Sequence, residues 1–159
     1  MTKTWLVLSC VFGWALMLAV PAWADWQEGL DAYERGDYET ALKEWRPLAN
    51  QGLSQAQYNL GLMYAEGEGV AQDYQEAVRW YRLAAEQGHA SGQFSLGAMY
   101  TAGQGVQKDY VLAHMWINLA APKGVKGAVK ARDLLEEMMN PAQLAEAQRL
   151  AREWKAKGK

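Results

Sequence analysis

Apolar and small residues recur at helical spacing along the middle of the chain. Between residues 55 and 66 they occupy positions 56, 60, 63 and 64, and a second stripe follows at Ala77, Trp80, Tyr81, Ala84 and Ala85. Spacing of three and four residues is typical of amphipathic α-helices, whereas strands alternate between polar and apolar positions. The pattern therefore predicts helices over 55–66 and 74–87.

Turn and capping residues separate these two helices. Gly67 and Gly69 permit a left-handed exit from the first helix, and Val70 is expected to fold back as an apolar plug. Asp73 and Glu76 fit the spacing of a capping box at the start of the second helix. Gly61 costs its helix about 1 kcal/mol relative to alanine, so we expect another helix to approach closely there.

The same pattern is written twice. Residues 56–91 and 92–127 align without a gap at a period of 36, and 16 of the 36 positions are identical. In the second copy Asp109 is the expected N-cap, Ile117 stands where Tyr81 stood, and Pro122 shortens the helix end. A fixed period of this length indicates a repeat architecture, in which each unit buries its apolar face against its neighbours.

Weaker elements flank the two copies. Asp37 and Tyr38 lie 36 residues before Asp73 and Tyr74, which predicts a degenerate first unit with a shorter loop. Beyond the repeats, a helix over 125–139 carries one apolar side, and Asn140 followed by Pro141 starts a last amphipathic helix that contains Trp154. The apolar side of the first of these helices is formed by Leu134, Leu135, Met138 and Met139. These two helices are predicted to cap the structure as a pair.

The N-terminus has the pattern of an export signal. Lys3 precedes an uncharged run over residues 5–20, and Ala22-Trp23-Ala24 resembles a cleavage site, so we expect a cut after Ala24. A lipoprotein signal at Cys10 is the alternative, although only a short apolar core precedes that cysteine. The run is shorter than the roughly 20 residues of a membrane span, so an integral membrane protein is not expected. The predicted units are a signal peptide, a first unit, two repeats and a cap, at residues 1–24, 25–54, 55–90, 91–126 and 127–159.

Composition excludes several classes of function. Cys10 is the only cysteine, so the processed chain would have no disulfide, thiolate nucleophile or cysteine metal site. Loss of residues 1–24 removes Lys3 and no acidic residue, so the formal charge would move from −2 to −3. A nucleic-acid partner is not expected because the chain has no basic patch.

Candidate catalytic residues are few. His89 is expected to hydrogen-bond a neighbouring turn, and His114 shows no spacing to a second histidine or a carboxylate that would indicate a metal or catalytic site. Acidic pairs such as Glu136 and Glu137 are predicted to be solvated, whereas general acid–base catalysis requires a buried carboxyl group. The G-x-G at 67–69 and 103–105 follows a helix, which favours a structural turn over a phosphate loop. No cofactor and no metal site are predicted.

The string LGLMYAEGEGVAQDYQEAVRWYRLAAEQGHA, residues 60–90, resembles the Sel1-like repeat, a relative of the tetratricopeptide repeat. Both copies match the spaced LG, Y, G-x-GV, DY, A, W, AA and G of that family. The resemblance implies an all-α fold, a right-handed α-solenoid of antiparallel helix pairs that binds proteins or peptides on its concave side. It offers no shared catalytic residues.

By analogy with tetratricopeptide repeats, the concave side is formed by the first helix of each pair. The residues predicted to bind a partner there are Gln55, Tyr58, Leu62, Phe94, Ala98 and Thr101. Ala65 and Ser91 share that face, which continues through Gln27, Asp31, Glu34 and Lys130. Tyr58 and Phe94, one repeat apart, are either exposed anchors for the partner or packing residues between repeats.

The sequence thus predicts a non-catalytic scaffold or adaptor that is periplasmic or secreted and binds an unidentified protein or peptide. The alternative is a hydrolase of the β-lactam-handling type described for cysteine-rich relatives, which the absence of cysteine from the processed chain disfavours. A structural envelope protein without a specific partner is a third hypothesis. The oligomeric state is left open.

Overall fold

The computed structural model describes residues 22–158, which form eight α-helices and one 3-10 turn, with no strand among them. The helices are α1 (Ala22–Glu34), α2 (Tyr38–Asn50), α3 (Ser54–Glu66), α4 (Tyr74–Glu86), α5 (Ala90–Ala102), α6 (Tyr110–Ala120), α7 (Ala128–Met138) and α8 (Pro141–Lys157). From α1 to α6 each helix packs against the next, as in a solenoid. The predicted all-α class is therefore confirmed.

The predicted signal peptide lies largely outside the described residues. Residues 1–21, with Cys10 and the uncharged run, are not described, whereas Ala22, Trp23 and Ala24 are the first three residues of α1. A cut after Ala24 would therefore shorten α1 by three residues and leave the rest of its length in the processed chain.

Repeated caps set the ends of the helices. Asp37, Asp73 and Asp109, spaced by 36 residues, are N-caps whose carboxylates accept hydrogen bonds from backbone N–H groups of the following turn. The predicted capping box at Asp73 is only half formed, because the Glu76 carboxylate pairs with Arg79 at 2.9 Å. The predicted helices 55–66 and 74–87 differ from α3 and α4 by one residue each.

The predicted apolar stripe on α4 is buried along its whole length. Two of its members, Trp80 and Tyr81, belong to different apolar clusters, so α4 joins the first unit to the second. The Tyr81 ring lies directly over Gly61 of α3, where any side chain would overlap it, and Ile117 covers Gly97 in the same way one repeat later. The expected close approach at Gly61 is confirmed.

Polar ties between units recur at the repeat period. Buried Gln57 donates its amide N–H to the Ala49 carbonyl at 3.1 Å, and buried Gln93 donates to the Ala85 carbonyl, also at 3.1 Å. Each Gln Oε1 then accepts a hydrogen bond from a residue 30 positions later, Gln87 at 2.7 Å or Lys123 at 3.0 Å. These two hydrogen bonds of each glutamine, which we call the glutamine tie, satisfy an amide that would be costly to bury unpaired.

Tyrosine hydroxyls make a second set of ties. Arg46 Nη2 donates to the Tyr64 hydroxyl at 3.1 Å, and Arg82 Nη2 donates to the Tyr100 hydroxyl at 2.9 Å. In the first unit the Tyr33 hydroxyl donates to Glu68 Oε2 at 2.7 Å. Burial and this hydrogen bond raise the pKa of Tyr33, so its hydroxyl stays a donor.

The C-terminal helices close the solenoid by packing separately against α6. On α8, Trp154 meets the Trp116 ring with centroids 6.0 Å apart. The helix predicted over 125–139 is shorter, because Gly127 has a left-handed conformation with φ of 83° just before α7 begins. Of the four residues on its predicted apolar side, Leu135 and Met139 are buried, whereas Leu134 and Met138 are 49% and 56% exposed.

Candidate partner-binding surface

Three of the six residues predicted to bind a partner line one groove. Phe94, Ala98 and Thr101 lie on the solvent-facing side of α5, opposite α7. The remaining residues of the groove are Ala102, Ile117, Ala131, Leu134, Leu135 and Met138. The two walls are α5 and α7, and Ile117 of α6 lies between them. We call this cleft the α5–α7 groove.

The other three predicted residues lie away from this groove. Tyr58 packs against the ring of Tyr81 on α4, with centroids 5.9 Å apart, and against the ring of His89, the N-cap of α5, at 5.0 Å. Leu62 is half-buried against the same apolar cluster, and Gln55 is exposed near the start of α3. Phe94 also packs against an apolar cluster while it lines the groove. Partner binding by these six residues stays a prediction.

The α5–α7 groove has a volume of about 320 Å³ and walls made almost entirely of carbon. Its single polar side chain is Thr101, whose hydroxyl donates to the Gly97 carbonyl at 2.9 Å. No ionisable side chain lines it. A surface of this kind gains free energy by covering apolar area, about 25 cal/mol per Å² removed from water, and offers little to a polar ligand.

Sequence reasoning missed the α7 wall. Leu134, Leu135, Met138 and Met139 spread over more than a third of the helix circumference at 100° per residue, which is wider than one buried stripe requires. That excess width was the available signal that α7 has two apolar faces. The structure turns Leu135 and Met139 inward and leaves Leu134 and Met138 for the groove.

Charge is distributed unevenly between the two helices of each pair. Helices α1, α3 and α5 contain no lysine or arginine, and their acidic residues are Asp25, Glu28, Asp31, Glu34 and Glu66. Helices α2 and α4 each carry two acidic and two basic residues. On α7, Lys130, Asp133 and Glu137 line an adjoining pocket that shares Leu134 with the groove. The first helices of the units therefore carry acidic charge only, and α5 itself has no charged residue.

A histidine–carboxylate pair holds the α7 wall against α6. His114 is only 1% exposed, and its Nε2 lies 3.0 Å from Glu136 Oε1, across 22 residues of sequence. Spacing along one helix could not reveal this carboxylate partner of His114, because the contact joins two helices. Arg132 Nε also lies 3.7 Å from the same oxygen, so this pair fixes the position of α7.

The remaining candidates for chemistry have structural roles in the described part of the chain. His89 caps α5: its Nδ1 accepts a hydrogen bond from the Gly92 N–H at 3.1 Å. Gly69 and Gly105 lie against the backbone of the preceding unit, at Tyr38 and Tyr74, so each G-x-G is a turn docked on its neighbour. Residues 22–158 contain no group of three side chains of the metal-ligating types.

No helix of the described chain combines the length and apolar character needed to cross a bilayer. This finding covers α1 to α8 only.

Comparison with known proteins identifies relatives of the same architecture. The family model for the Sel1 repeat matches residues 54–89 and 90–125. A search of curated proteins gives no match. Among solved structures, c5321, described as a protective antigen of uropathogenic Escherichia coli strains with an SLR fold, is 32% identical with a TM-score of 0.79. The match covers 84% of this chain and 29% of c5321, so this chain spans less than a third of that protein.

A second solved structure is similar in length as well as in fold. The Sel1 repeat protein from Oxalobacter formigenes is 36% identical with a TM-score of 0.64, and the match covers 71% of this chain and 88% of that one. The paired helices, the 36-residue period and these matches together support the expected right-handed solenoid. The chain belongs to the Sel1 repeat family.

Proposed function

We propose that this protein is a non-catalytic scaffold that binds a protein or peptide in the α5–α7 groove. The observation that carries the proposal is the groove itself, an open apolar cleft on the face where the sequence placed Phe94, Ala98 and Thr101. Exposed Leu134 and Met138 extend it. Exposed apolar side chains that gather in one concave surface are typical of interaction sites.

The groove favours binding over catalysis. Catalysis requires a positioned nucleophile, acid or base, and the α5–α7 groove presents carbon surface with one hydroxyl that is already committed to Gly97. The His114–Glu136 pair is accounted for by its role between α6 and α7. No feature of residues 22–158 favours the β-lactam hydrolase alternative.

We propose further that the scaffold acts in the periplasm or outside the cell. This proposal is supported by the sequence alone, by Lys3, the uncharged run over residues 5–20 and the Ala22-Trp23-Ala24 pattern. Fractionation of cells that carry a C-terminally tagged chain tests it. A product in the periplasm or the medium that begins at Asp25 is expected, and full-length protein confined to the cytosol would refute export.

Site-specific photocrosslinking in living cells tests the binding proposal. A photoreactive residue replaces Ala98 in the groove, and in a matched variant it replaces Lys43, whose side chain is 82% exposed on α2. Covalent adducts to a defined protein are expected at position 98 and not at position 43. If both positions give the same adducts, or neither gives any, the α5–α7 groove is not a binding site.

A further inference from the structure

The chemistry of the α5–α7 groove discriminates between types of peptide backbone. An extended peptide exposes N–H and C=O groups that need partners, and burial of an unpaired one costs several kcal/mol. The groove offers a peptide no side-chain donor, because the Thr101 hydroxyl donates its proton to the Gly97 carbonyl, and that hydroxyl oxygen is the single side-chain acceptor. A helix satisfies its own backbone and presents only side chains, so a helix fits this groove and a strand does not.

The walls have the dimensions of such a helix. On α5 the lining residues run from Phe94 to Ala102, and on α7 they run from Ala131 to Met138. At 1.5 Å per residue each wall is about 11 to 12 Å long, which is two helical turns. Two turns of a bound helix present an apolar stripe at i, i+3, i+4 and i+7, the usual anchors of a helix in a groove.

Charge complementarity sets the polar side of this ligand. Glu137 and Asp133 flank Leu134 at the edge of the groove; Asp133 is neutralised by an ion pair with Arg132 at 2.7 Å, so Glu137 and Lys130 are the charges that remain there. Beyond the α5 wall, α3 contributes exposed Glu66, and α1, further along the solenoid, contributes exposed Asp31 and Glu34; neither helix contains lysine or arginine. A ligand that lies here meets a negative potential, which favours lysine and arginine on its exposed side.

We propose that the occupant of the α5–α7 groove is an amphipathic α-helix of a partner protein, with an apolar stripe of about two turns and a basic polar face. This rests on the proposed scaffold function and narrows it to one class of ligand. The apolar stripe covers Phe94, Ile117, Leu134 and Met138, and the basic face is directed toward the acidic edge.

A designed peptide is the probe. It has about 18 residues, long enough for marginal helicity, with leucine at i, i+3, i+4 and i+7 and lysine on the polar face. One comparison peptide has the same composition with a central proline, and another has glutamate in place of every lysine. Fluorescence anisotropy with the full-length protein should show affinity for the first peptide at least about tenfold higher than for either of the others.

Matched protein variants locate the site. Leu134→Gln with Met138→Gln changes two exposed residues of the groove, and Leu83→Gln changes a partly exposed leucine on α4 that lies outside it. The groove variant should bind the lysine peptide about tenfold more weakly, and Leu83→Gln should bind unchanged. Circular dichroism checks that all variants keep their helix content. Raising the salt from about 50 mM to about 300 mM should also weaken binding, because exposed charges are screened.

Several outcomes overturn the inference. Equal affinity for the proline peptide indicates an extended ligand, and equal affinity for the glutamate peptide removes the electrostatic argument. Absence of binding up to about 1 mM peptide also contradicts it. If light scattering shows a dimer that the groove variant abolishes, a second copy is the occupant. Adducts at position 98 to a partner without such a helix would refute this inference and leave the scaffold proposal standing.

Discussion

His89 joins two repeats through its ring and its Nδ1 atom. Its Nδ1 accepts from the Gly92 N–H at the start of α5, and its ring packs on Tyr58 of α3, 5.0 Å away between centroids. Burial, and secondly the positive charge of Lys123, lower the pKa of His89 below its ordinary value. The fold therefore favours the neutral imidazole, which alone can accept the capping hydrogen bond.

This preference makes stability depend on pH. The unfolded chain takes up a proton at His89 near the ordinary pKa of about 6.5, while the folded chain does so only at lower pH. The stability that neutral His89 contributes is therefore present above about pH 6.5 and is lost as the pH falls through the pKa of the folded state. The variant His89→Asn keeps an N-cap oxygen and does not titrate. On going from about pH 7.5 to about pH 5 we expect it to lose less free energy of unfolding than wild type does, the difference being up to about 1 kcal/mol.

Urea denaturation at the two pH values measures this difference. If wild type and His89→Asn lose the same free energy of unfolding on acidification, the cap does not require neutral His89.

Local sequence determines the helix ends but not the contacts between helices. Asp73 with Gly67 and Gly69 placed the ends of α3 and α4 to within one residue, because caps and left-handed glycines act over a single turn. The His114–Glu136 pair and the outward direction of Leu134 depend on how α7 docks on α6. The width of the apolar stripe indicates that α7 has two apolar faces, but spacing within one helix does not say which of them docks on α6, so the α7 wall of the groove could not be predicted.

At the scale of elements, the loops between paired helices are docking surfaces. Gly105 has φ of 67° and lies so close to the Tyr74 carbonyl that an added Cβ would overlap it. Gly124 has a similar φ of 78°, with nothing within 4 Å of the same added atom. The two glycines therefore share a backbone requirement and differ in the space around them.

This pair separates backbone strain from packing. Gly124→Ala should cost about 1 kcal/mol of the free energy of unfolding, the usual penalty for a left-handed alanine. Gly105→Ala should cost about 2 to 4 kcal/mol, because the loop must also move away from α4. Urea denaturation followed by circular dichroism measures both. If both variants lose the same free energy of unfolding, the loop does not pack against the preceding unit.

At the scale of the molecule, α8 joins the apolar clusters that the repeats leave open. Ala151 lies in the cluster formed mainly by α3 to α6, and Ala147 lies in the cluster shared with α7. Helix α8 therefore covers the last repeat and also shares an apolar cluster with α7, which forms one wall of the groove. In a solenoid each unit is stabilised by its neighbours, so loss of this cover affects the units before it.

A charge on the inner face of α8 tests this role. Ala151→Asp places a carboxylate at a position that is 2% exposed and should cost about 3 kcal/mol or more. Ala145→Asp makes the same change at an exposed position of the same helix and should cost less than about 1 kcal/mol. Guanidinium unfolding monitored by tryptophan fluorescence compares them. A small effect at Ala151 would show that α8 is dispensable for the repeats.

The glutamine tie has a consequence for how such a chain changes in length. Ala49, Gln57 and Gln87 make the contacts that Ala85, Gln93 and Lys123 make one period later. Deletion or duplication of one 36-residue unit therefore rejoins equivalent partners, with no buried amide left without an acceptor. Homologous genes can therefore gain or lose whole units while these hydrogen bonds between units are kept. The length of the solenoid can evolve independently of its terminal helices.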